Sequence, residues 1–275
     1  MSGLRQEFVQ RSITAICLSA VVVALVLFSP NLILNTFVFL LSLALFFEWM
    51  KVSKASRKKK IIFLLLFSFL IFCILGFGAL LEPIPIITML GITVWIVIAF
   101  QIFFREGRLS SSFSFTNFWI GLILISTFCL TCFQFVNGSR LFLLIAIFNV
   151  AIFDSGAYII GKNFGKNSFL PELSPNKTIE GLIGGLASSI VFVTLLYILI
   201  EEVSLKASIA LMLSIPFALC GDYFFSFLKR KANIKDTGSI LPGHGGLLDR
   251  VDSHLAAIPM ITFFSYLLHT LGSYF

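Results

Sequence analysis

The side chains best suited to chemistry in this chain lie between Ser226 and Asp252, with long apolar segments on either side. Carboxylates are ligands that Mg²⁺ prefers, and basic side chains bind phosphate. Glycines let the backbone approach a bound ligand closely. The stretch therefore predicts a polar loop, carried by a membrane bundle, that binds a divalent cation and a polyphosphate. Its charged residues, histidine and glycines are Lys229, Arg230, Lys231, Lys235, Asp236, Gly238, Gly243, His244, Gly245, Gly246, Asp249, Arg250 and Asp252.

The elements that must position this stretch are membrane helices. Hydrophobic residues make up 58% of the 275 positions, charged residues make up 12%, and the mean hydropathy is +1.02. A soluble domain is near half apolar and a quarter charged, so this composition excludes an ordinary soluble fold. We predict an all-α, polytopic membrane helix bundle of about nine transmembrane helices. The predicted spans are 12–29, 31–50, 61–82, 84–104, 117–136, 140–160, 179–200, 206–225 and 252–272.

The loops between these spans alternate in charge. Of the 20 Lys and Arg residues, all but Arg140 and Lys206 fall on one side of the predicted bundle. The positive-inside rule then places the N-terminus in the cytoplasm. The net charge of +7 lies in short loops beside apolar spans, which favours anionic lipid and anionic substrate over nucleic acid as partners.

The acidic residues divide the chain into two regions. All five Asp lie in the second half, and the topology puts each at or near the cytoplasmic face. We predict that residues 1–140 form a transmembrane scaffold, with an oligomer surface as an option, and that residues 141–275 form the catalytic region. Glu48, at the end of the second span, is either interfacial or faces the bundle.

Two motifs precede the polar stretch. Asp154 begins D-S-G-A-Y inside an apolar span, where a carboxylate is costly without a cation, a partner or water. It is either a binding residue or an interhelical polar contact. In the second motif, Ser174 and Pro175 predict a helix start whose exposed N–H groups bind an anion, with Lys177 adding a charge for phosphate. The alternative is a capped helix start with a snorkelling Lys177.

Asp222 and Asp249 are the candidate metal ligands. Each lies near the end of an apolar span, and two carboxylates at membrane depth repel unless a cation lies between them. Mg²⁺ fits, because it takes one or two carboxylates and leaves positions for substrate phosphates. Asp252, one helical turn from Asp249, could line the same face. Salt bridges to Lys229, Arg230 or Arg250 are the structural alternative.

The histidines and cysteines carry weaker signals. His244 lies in the flexible turn Pro242–Gly246 and could bind phosphate or shuttle protons, while His254 and His269 fit packing or interfacial roles. The five cysteines all lie in apolar segments, which favours buried side chains over zinc or redox chemistry.

At these residues the chain resembles the phosphatidate cytidylyltransferases, also called CDP-diacylglycerol synthases. Their signature, S-x-x-K-R-x4-K-D followed by P-G-H-G-G-x-x-D-R-x-D, is filled here from Ser226 to Asp252. The upstream D-[ST]-G-A-Y and S-P-x-K-T-x-E-G elements match at Asp154 and Ser174. Asn176 and Ile179 stand where many members carry Lys and Trp. The motif-bearing resemblance covers roughly residues 150–255.

The resemblance implies a Mg²⁺-dependent reaction of CTP with phosphatidate that gives CDP-diacylglycerol and pyrophosphate. It implies that Asp222 and Asp249 hold the metal, with a second, monovalent cation as an option. The implied partners are CTP, phosphatidate and membrane lipid, with a homodimer left open and no nucleic acid. The implied location is the bacterial inner membrane, with the active site facing the cytoplasm.

The resemblance also implies the remaining site residues. Basic side chains would clamp phosphates, and small or polar residues would frame the pocket. The catalytic set is Asp222, Lys229, Arg230, Lys235, Asp236, His244, Asp249, Arg250 and Asp252, and the substrate-binding set is Asp154, Ser174, Lys177, Ser226, Gly245 and Gly246.

Two rival functions fit part of the pattern. A polyprenol or dolichol kinase-like relative would use CTP but transfer its γ-phosphoryl group. A cation transporter would use Asp154, Asp222 and Asp249 as its ion site. Many transporters are built from internally repeated halves, and this sequence does not show such a repeat. A basic loop rich in glycine also suits polyphosphate better than a bare cation.

Overall fold

The computed structural model describes residues 19–53, 56, 58, 60–62, 64–69, 86–104, 118–238 and 245–271. Within this part of the chain, seven helices are long and apolar enough to cross a membrane, and no strand occurs beyond one isolated bridge, Ser168 to Thr178. The prediction of an all-α integral membrane protein is confirmed. The helices are α1 Asn31–Val52, α2 Ile86–Phe104, α3 Phe118–Asn137, α4 Arg140–Phe164, α5 Ile179–Leu199, α6 Leu205–Ala232 and α7 Leu248–Leu271.

In two predicted spans the described residues form only a shorter apolar helix. Ser19–Phe28 lies within the span predicted at 12–29, and Lys60–Phe69 overlaps the span predicted at 61–82. The count of nine and the cytoplasmic N-terminus therefore stay predictions. The other seven predicted spans each coincide with one of the helices α1 to α7.

Three helices begin at a residue whose hydroxyl accepts a hydrogen bond from a backbone N–H of the first turn. Ser139 caps α4, Thr178 caps α5 and Ser204 caps α6. The predicted helix start at Ser174 and Pro175 is therefore wrong. Thr178 has extended backbone and accepts from Gly181 N, which is the geometry an N-cap needs.

The predicted polar loop from Ser226 to Asp252 is shorter in the structure. Helix α6 continues to Ala232 and α7 begins at Leu248, so the connection covers only 233–247. Lys229, Arg230 and Lys231 extend α6 because Lys and Arg are good helix formers and favour a helix C-terminus. Asn233, in the left-handed conformation with φ 56°, ends the helix.

The helices pack as two close pairs around a central helix. Helices α4 and α5 form one pair, α6 and α7 form the other, and α3 packs against both α4 and α7. Glycines allow the first pair to approach, since a Cβ at Gly181 would lie 2.8 Å from Ala157 O and one at Gly185 2.7 Å from Phe153 O. These two glycines therefore serve close helix packing.

Helices α1 and α2 pack against the outside of this core. Trp49 of α1 and Trp95 of α2 both contact Phe224 of α6, with ring centroids 6.3 and 5.7 Å apart. All three side chains are fully buried. The N-terminal helices therefore reach the motif-bearing helices through aromatic packing.

Candidate active site

Charged side chains from three helices meet at one end of the α4, α6 and α7 bundle. Asp222 of α6 forms an ion pair with Lys177, at 2.5 Å from Nζ to Oδ2. Asp154 of α4 and Asp252 of α7 both interact electrostatically with Asp222 and with Lys177. We call these four residues the Asp222 cluster. Three acidic side chains this close cannot all be ionised without a nearby positive charge, and Lys177 supplies one.

The loop between α4 and α5 places Lys177 in this cluster. Its Nζ lies 4.1 Å from the ring centroid of Tyr223, the neighbour of Asp222. A cation over an aromatic ring is attracted by the electron density of the ring face. The Tyr223 hydroxyl is buried and has no hydrogen-bond partner within the described residues. Lys177 is thus held by one carboxylate and one ring.

Glu180 fixes the same loop from the first turn of α5. Its carboxylate accepts hydrogen bonds from Lys166 N at 3.0 Å, Asn167 N at 3.2 Å and the Asn167 side chain at 2.9 Å. Phe169 N donates to Lys177 O at 2.9 Å across the loop. The glutamate of the upstream motif therefore positions the segment that carries Lys177.

A second group of contacts surrounds Asp249, at the start of α7. Oδ1 accepts from Lys229 Nζ at 2.8 Å. Oδ2 accepts from Thr237 N at 2.8 Å, from Thr237 Oγ1 at 3.0 Å and from Gly246 N at 3.0 Å. We call Lys229, Thr237, Gly246 and Asp249 the Asp249 pocket. Lys229 and two backbone N–H groups hold this carboxylate in one orientation, and the Thr237 hydroxyl also lies within hydrogen-bond distance.

The two groups are neighbours because α6 and α7 run antiparallel. A Cβ at Gly221 would collide with Asp252 O, whereas Lys229, eight residues further along α6, meets Asp249 three residues earlier in α7. Asp222 and Lys229 are seven residues apart, which places them on one face of α6. The Asp249 pocket thus lies beyond the Asp222 cluster, by about two helical turns along α6 and about one along α7.

Comparison with known proteins identifies the family. A family model described as the cytidylyltransferase family matches residues 9–268 of this chain. This chain belongs to the cytidylyltransferase family. The family prediction from the motifs is confirmed.

Individual relatives of this cytidylyltransferase cover a shorter segment. It is 43% identical over 113 residues to a phosphatidate cytidylyltransferase of Bacillus subtilis, a match that covers 40% of this chain and 42% of the relative. Similar matches, 42% identical over 123 residues, occur with the proteins of that name from Staphylococcus haemolyticus and Staphylococcus aureus, covering 44% of this chain and 47% of each relative. The matched segment spans less than half the length of these relatives.

Several predicted site residues of the cytidylyltransferase lie on the helices and loops that carry these two groups. Arg230 donates to Glu172 O at 2.8 Å and so ties α6 to the α4–α5 loop. Ser174 N and O are bonded within the same loop, to Leu170 and Lys177. Ser226 is part-buried on α6, while Lys235, Asp236 and Arg250 are exposed.

The glycine-rich turn is described only in part. Gly245 has φ +81°, a conformation that favours glycine, and a Cβ there would lie 3.2 Å from Asp236 Oδ1 and 3.4 Å from Asp249 Oδ2. Gly246 contributes its N–H to the Asp249 pocket. The prediction for His244 concerns a residue outside the described part of the chain.

Sequence reasoning did not assign a role to Glu48, which the structure places against the Asp249 pocket. The side chain is fully buried and contacts Thr237, Leu247 and Leu248. Of the two options left open for Glu48, the structure selects the one that faces the bundle. The available signal was a glutamate within the apolar run F-F-E-W.

The donor chemistry of the site fits a divalent cation held by two carboxylates. Within the described residues, no group of three or more His, Cys, Asp or Glu is placed to hold an ion by itself. Mg²⁺ does not need such a group, because it is usually bound by one or two carboxylates together with substrate phosphates. Asp249 Oδ2 accepts from two backbone N–H groups and faces the Thr237 hydroxyl, so Oδ1, which accepts only from Lys229 among the described contacts, is the oxygen available to a metal.

Proposed function

We propose that this chain transfers the cytidylyl group of CTP to phosphatidate, giving CDP-diacylglycerol and pyrophosphate. The observation that carries the proposal is the meeting of Lys177 with Asp222 and of Lys229 with Asp249 at one end of a membrane bundle. Each pair combines a phosphate-binding cation with a metal-binding carboxylate. Family membership and the relatives named phosphatidate cytidylyltransferase support the same substrates.

The reaction is a substitution at phosphorus. A phosphate oxygen of phosphatidate forms a bond to the α-phosphorus of CTP, and the bond from that phosphorus to the bridging β-phosphate oxygen breaks. Pyrophosphate leaves with the electron pair. Because the protein has only to position two anions and offset growing negative charge, basic side chains carry most of its contribution.

The proposed roles follow the two charged groups. Asp222 and Asp249 would hold Mg²⁺, which would neutralise phosphate charge, with a monovalent cation as a second ion. Lys177 and Lys229 would each exchange a carboxylate contact for a phosphate oxygen when CTP binds. Lys235, Asp236, Arg250 and His244 would complete the phosphate-binding surface from the connection between α6 and α7.

The membrane setting gives the lipid substrate direct access. Helix α5 exposes many large apolar side chains, among them Ile183, Ile190 and Leu195. Acyl chains of phosphatidate can stay in lipid beside such a surface while the headgroup reaches the charged helix ends. We propose that these ends face the cytoplasm from the bacterial inner membrane, where CTP is available, and that the N-terminal region serves as scaffold and carries any dimer contact.

The test is product analysis with purified protein in detergent. Incubation with phosphatidate, Mg²⁺ and CTP labelled in the cytosine ring is expected to give labelled CDP-diacylglycerol and one pyrophosphate for each lipid formed. CTP labelled only in the γ-phosphate is expected to label pyrophosphate and no lipid. Label from the γ-phosphate in lipid, with release of CDP, would instead identify a CTP-dependent lipid kinase.

A further inference from the structure

Glu48 reaches the catalytic loop from the opposite end of the sequence. It lies near the end of α1, and its carboxylate accepts from Thr237 Oγ1 at 3.0 Å, Leu247 N at 3.0 Å and Leu248 N at 2.8 Å. The last two partners are 199 and 200 residues away in the chain. A fully buried carboxylate that accepts from two backbone N–H groups and faces a hydroxyl is a specific structural feature, because each unmet hydrogen bond at such a site is costly.

These contacts place Glu48 at the N-terminus of α7. Leu248 is the first residue of that helix, and the first N–H groups of a helix have no partner within the helix. A negative charge at this end also interacts favourably with the helix dipole. Glu48 therefore acts as an N-terminal cap supplied by a different helix, and it fixes where α7, with Asp249 in its first turn, begins.

Two glycines leave the room that the carboxylate occupies. The three nearest atoms to a Cβ at Gly238 would all belong to Glu48, and the Cβ would collide with Oε1. A Cβ at Gly246 would lie 2.6 Å from Glu48 Oε2 and would also collide with Thr237 Oγ1. Gly246 belongs to the P-G-H-G-G motif, so a side chain from α1 is part of the reason that this motif position has no room for a Cβ.

Thr237 connects Glu48 to the catalytic carboxylate. Its hydroxyl lies 3.0 Å from both Glu48 Oε2 and Asp249 Oδ2, while its N–H donates to Asp249 alone. We infer that Glu48 is a positioning residue that holds Thr237 and the start of α7 so that Asp249 Oδ1 points into the active site. The functional part of this inference rests on the proposed cytidylyl transfer, and the geometric part does not.

The first test compares Glu48→Gln with Glu201→Gln, a control at an exposed glutamate between α5 and α6. In Glu48→Gln an amide NH₂ replaces one acceptor and faces an N–H donor. Backbone hydrogen exchange in peptides that cover 245–252 is expected to rise about tenfold, with the α4–α5 pair unchanged. The rate of CDP-lipid formation at saturating substrates is expected to fall about tenfold. Glu201→Gln should change neither quantity.

The second test uses the two glycines. Gly238→Ala is expected to lower the thermal unfolding midpoint in the parent protein but not in a Glu48→Ala background, because the colliding atoms are gone. Gly246→Ala is expected to lower the midpoint in both backgrounds, since Thr237 Oγ1 and Gly238 N remain in its way.

The outcomes separate this inference from the proposed function. Unchanged exchange at 245–252 in Glu48→Gln, or an equal effect of Gly238→Ala in both backgrounds, would overturn the positioning role. Local exchange that rises while the transfer rate stays at the parent value would also overturn it. If the parent protein makes no CDP-lipid, the proposed function fails. The hydrogen-exchange and glycine tests still show whether Glu48 caps the N-terminus of α7.

Discussion

The Asp222 cluster and the Asp249 pocket use the same residue types in opposite ways. Asp249 accepts from Lys229 and from the backbone N–H groups of Thr237 and Gly246, and the Thr237 hydroxyl, which also faces Glu48, lies 3.0 Å away. Asp222 has one ion pair, with Lys177, and two acidic neighbours, Asp154 and Asp252. One carboxylate is therefore fixed before any ligand binds, whereas the other sits in a group that a cation would stabilise.

Replacement of each aspartate by asparagine should give the largest effects and should separate the two regions. Asp222→Asn and Asp249→Asn are each expected to lower the rate of CDP-lipid formation by at least about 100-fold. Only Asp249→Asn should also destabilise the protein, by about 3 kcal/mol, because Lys229 loses a mostly buried partner. Asp222→Asn should change stability by less than about 1 kcal/mol, since a lost ion pair and a relieved repulsion oppose each other.

Parallel activity assays and thermal unfolding in detergent check this prediction. Size-exclusion elution at the parent position serves as the control for folding of each variant. Equal destabilisation by the two substitutions would contradict the proposed distinction between Asp249, which its donors hold in place, and Asp222, which has only one ion pair. Parent-level activity in either variant would remove that aspartate from the active site.

The two lysines should give a smaller contrast, visible in the response to Mg²⁺. Lys177→Met leaves three carboxylates without their cation, so added Mg²⁺ is expected to raise the unfolding midpoint more than in the parent, by the equivalent of about 1 kcal/mol. Lys229→Met frees only Asp249 Oδ1, while Oδ2 keeps its contacts with Thr237 and Gly246, so the Mg²⁺ response should rise less than in Lys177→Met. Ca²⁺ at the same ionic strength and NaCl are the matched controls. Identical Mg²⁺ responses in the two variants would contradict the comparison.

Much of the fold follows from hydropathy alone. Seven spans coincide with helices because an apolar run of about 20 residues in a membrane has few alternatives to a helix. Helix ends are harder to predict, as Lys229 and Arg230 show. Their charge is typical of a loop, but positive side chains interact favourably with the dipole at the C-terminus of α6. The helix therefore continues about two turns beyond its predicted end. Thr178 was likewise overlooked as a cap because Ser174 and Pro175 gave a stronger local signal.

The contents of the site were easier to predict than its connections. The family resemblance assigned Asp154, Lys177 and Asp222 to one site, and the structure brings them together. Glu48 could not be assigned in this way, since its partners lie about 200 residues away and no local pattern records a contact between distant helices. Likewise, spacing did not indicate that Oδ2 of Asp249 is filled by Thr237 and Gly246 while Oδ1 is presented to the site.

The central claim is that Asp222 and Asp249 serve one divalent cation, and a Mn²⁺ titration tests it most directly. Electron paramagnetic resonance of the detergent-purified protein, without nucleotide, counts free and bound Mn²⁺ in place of Mg²⁺. We expect one Mn²⁺ for each chain, with affinity lowered by more than about tenfold in Asp222→Asn and in Asp249→Asn alike. Two independent sites, each lost in only one variant, or parent-level binding in either variant, would contradict the claim.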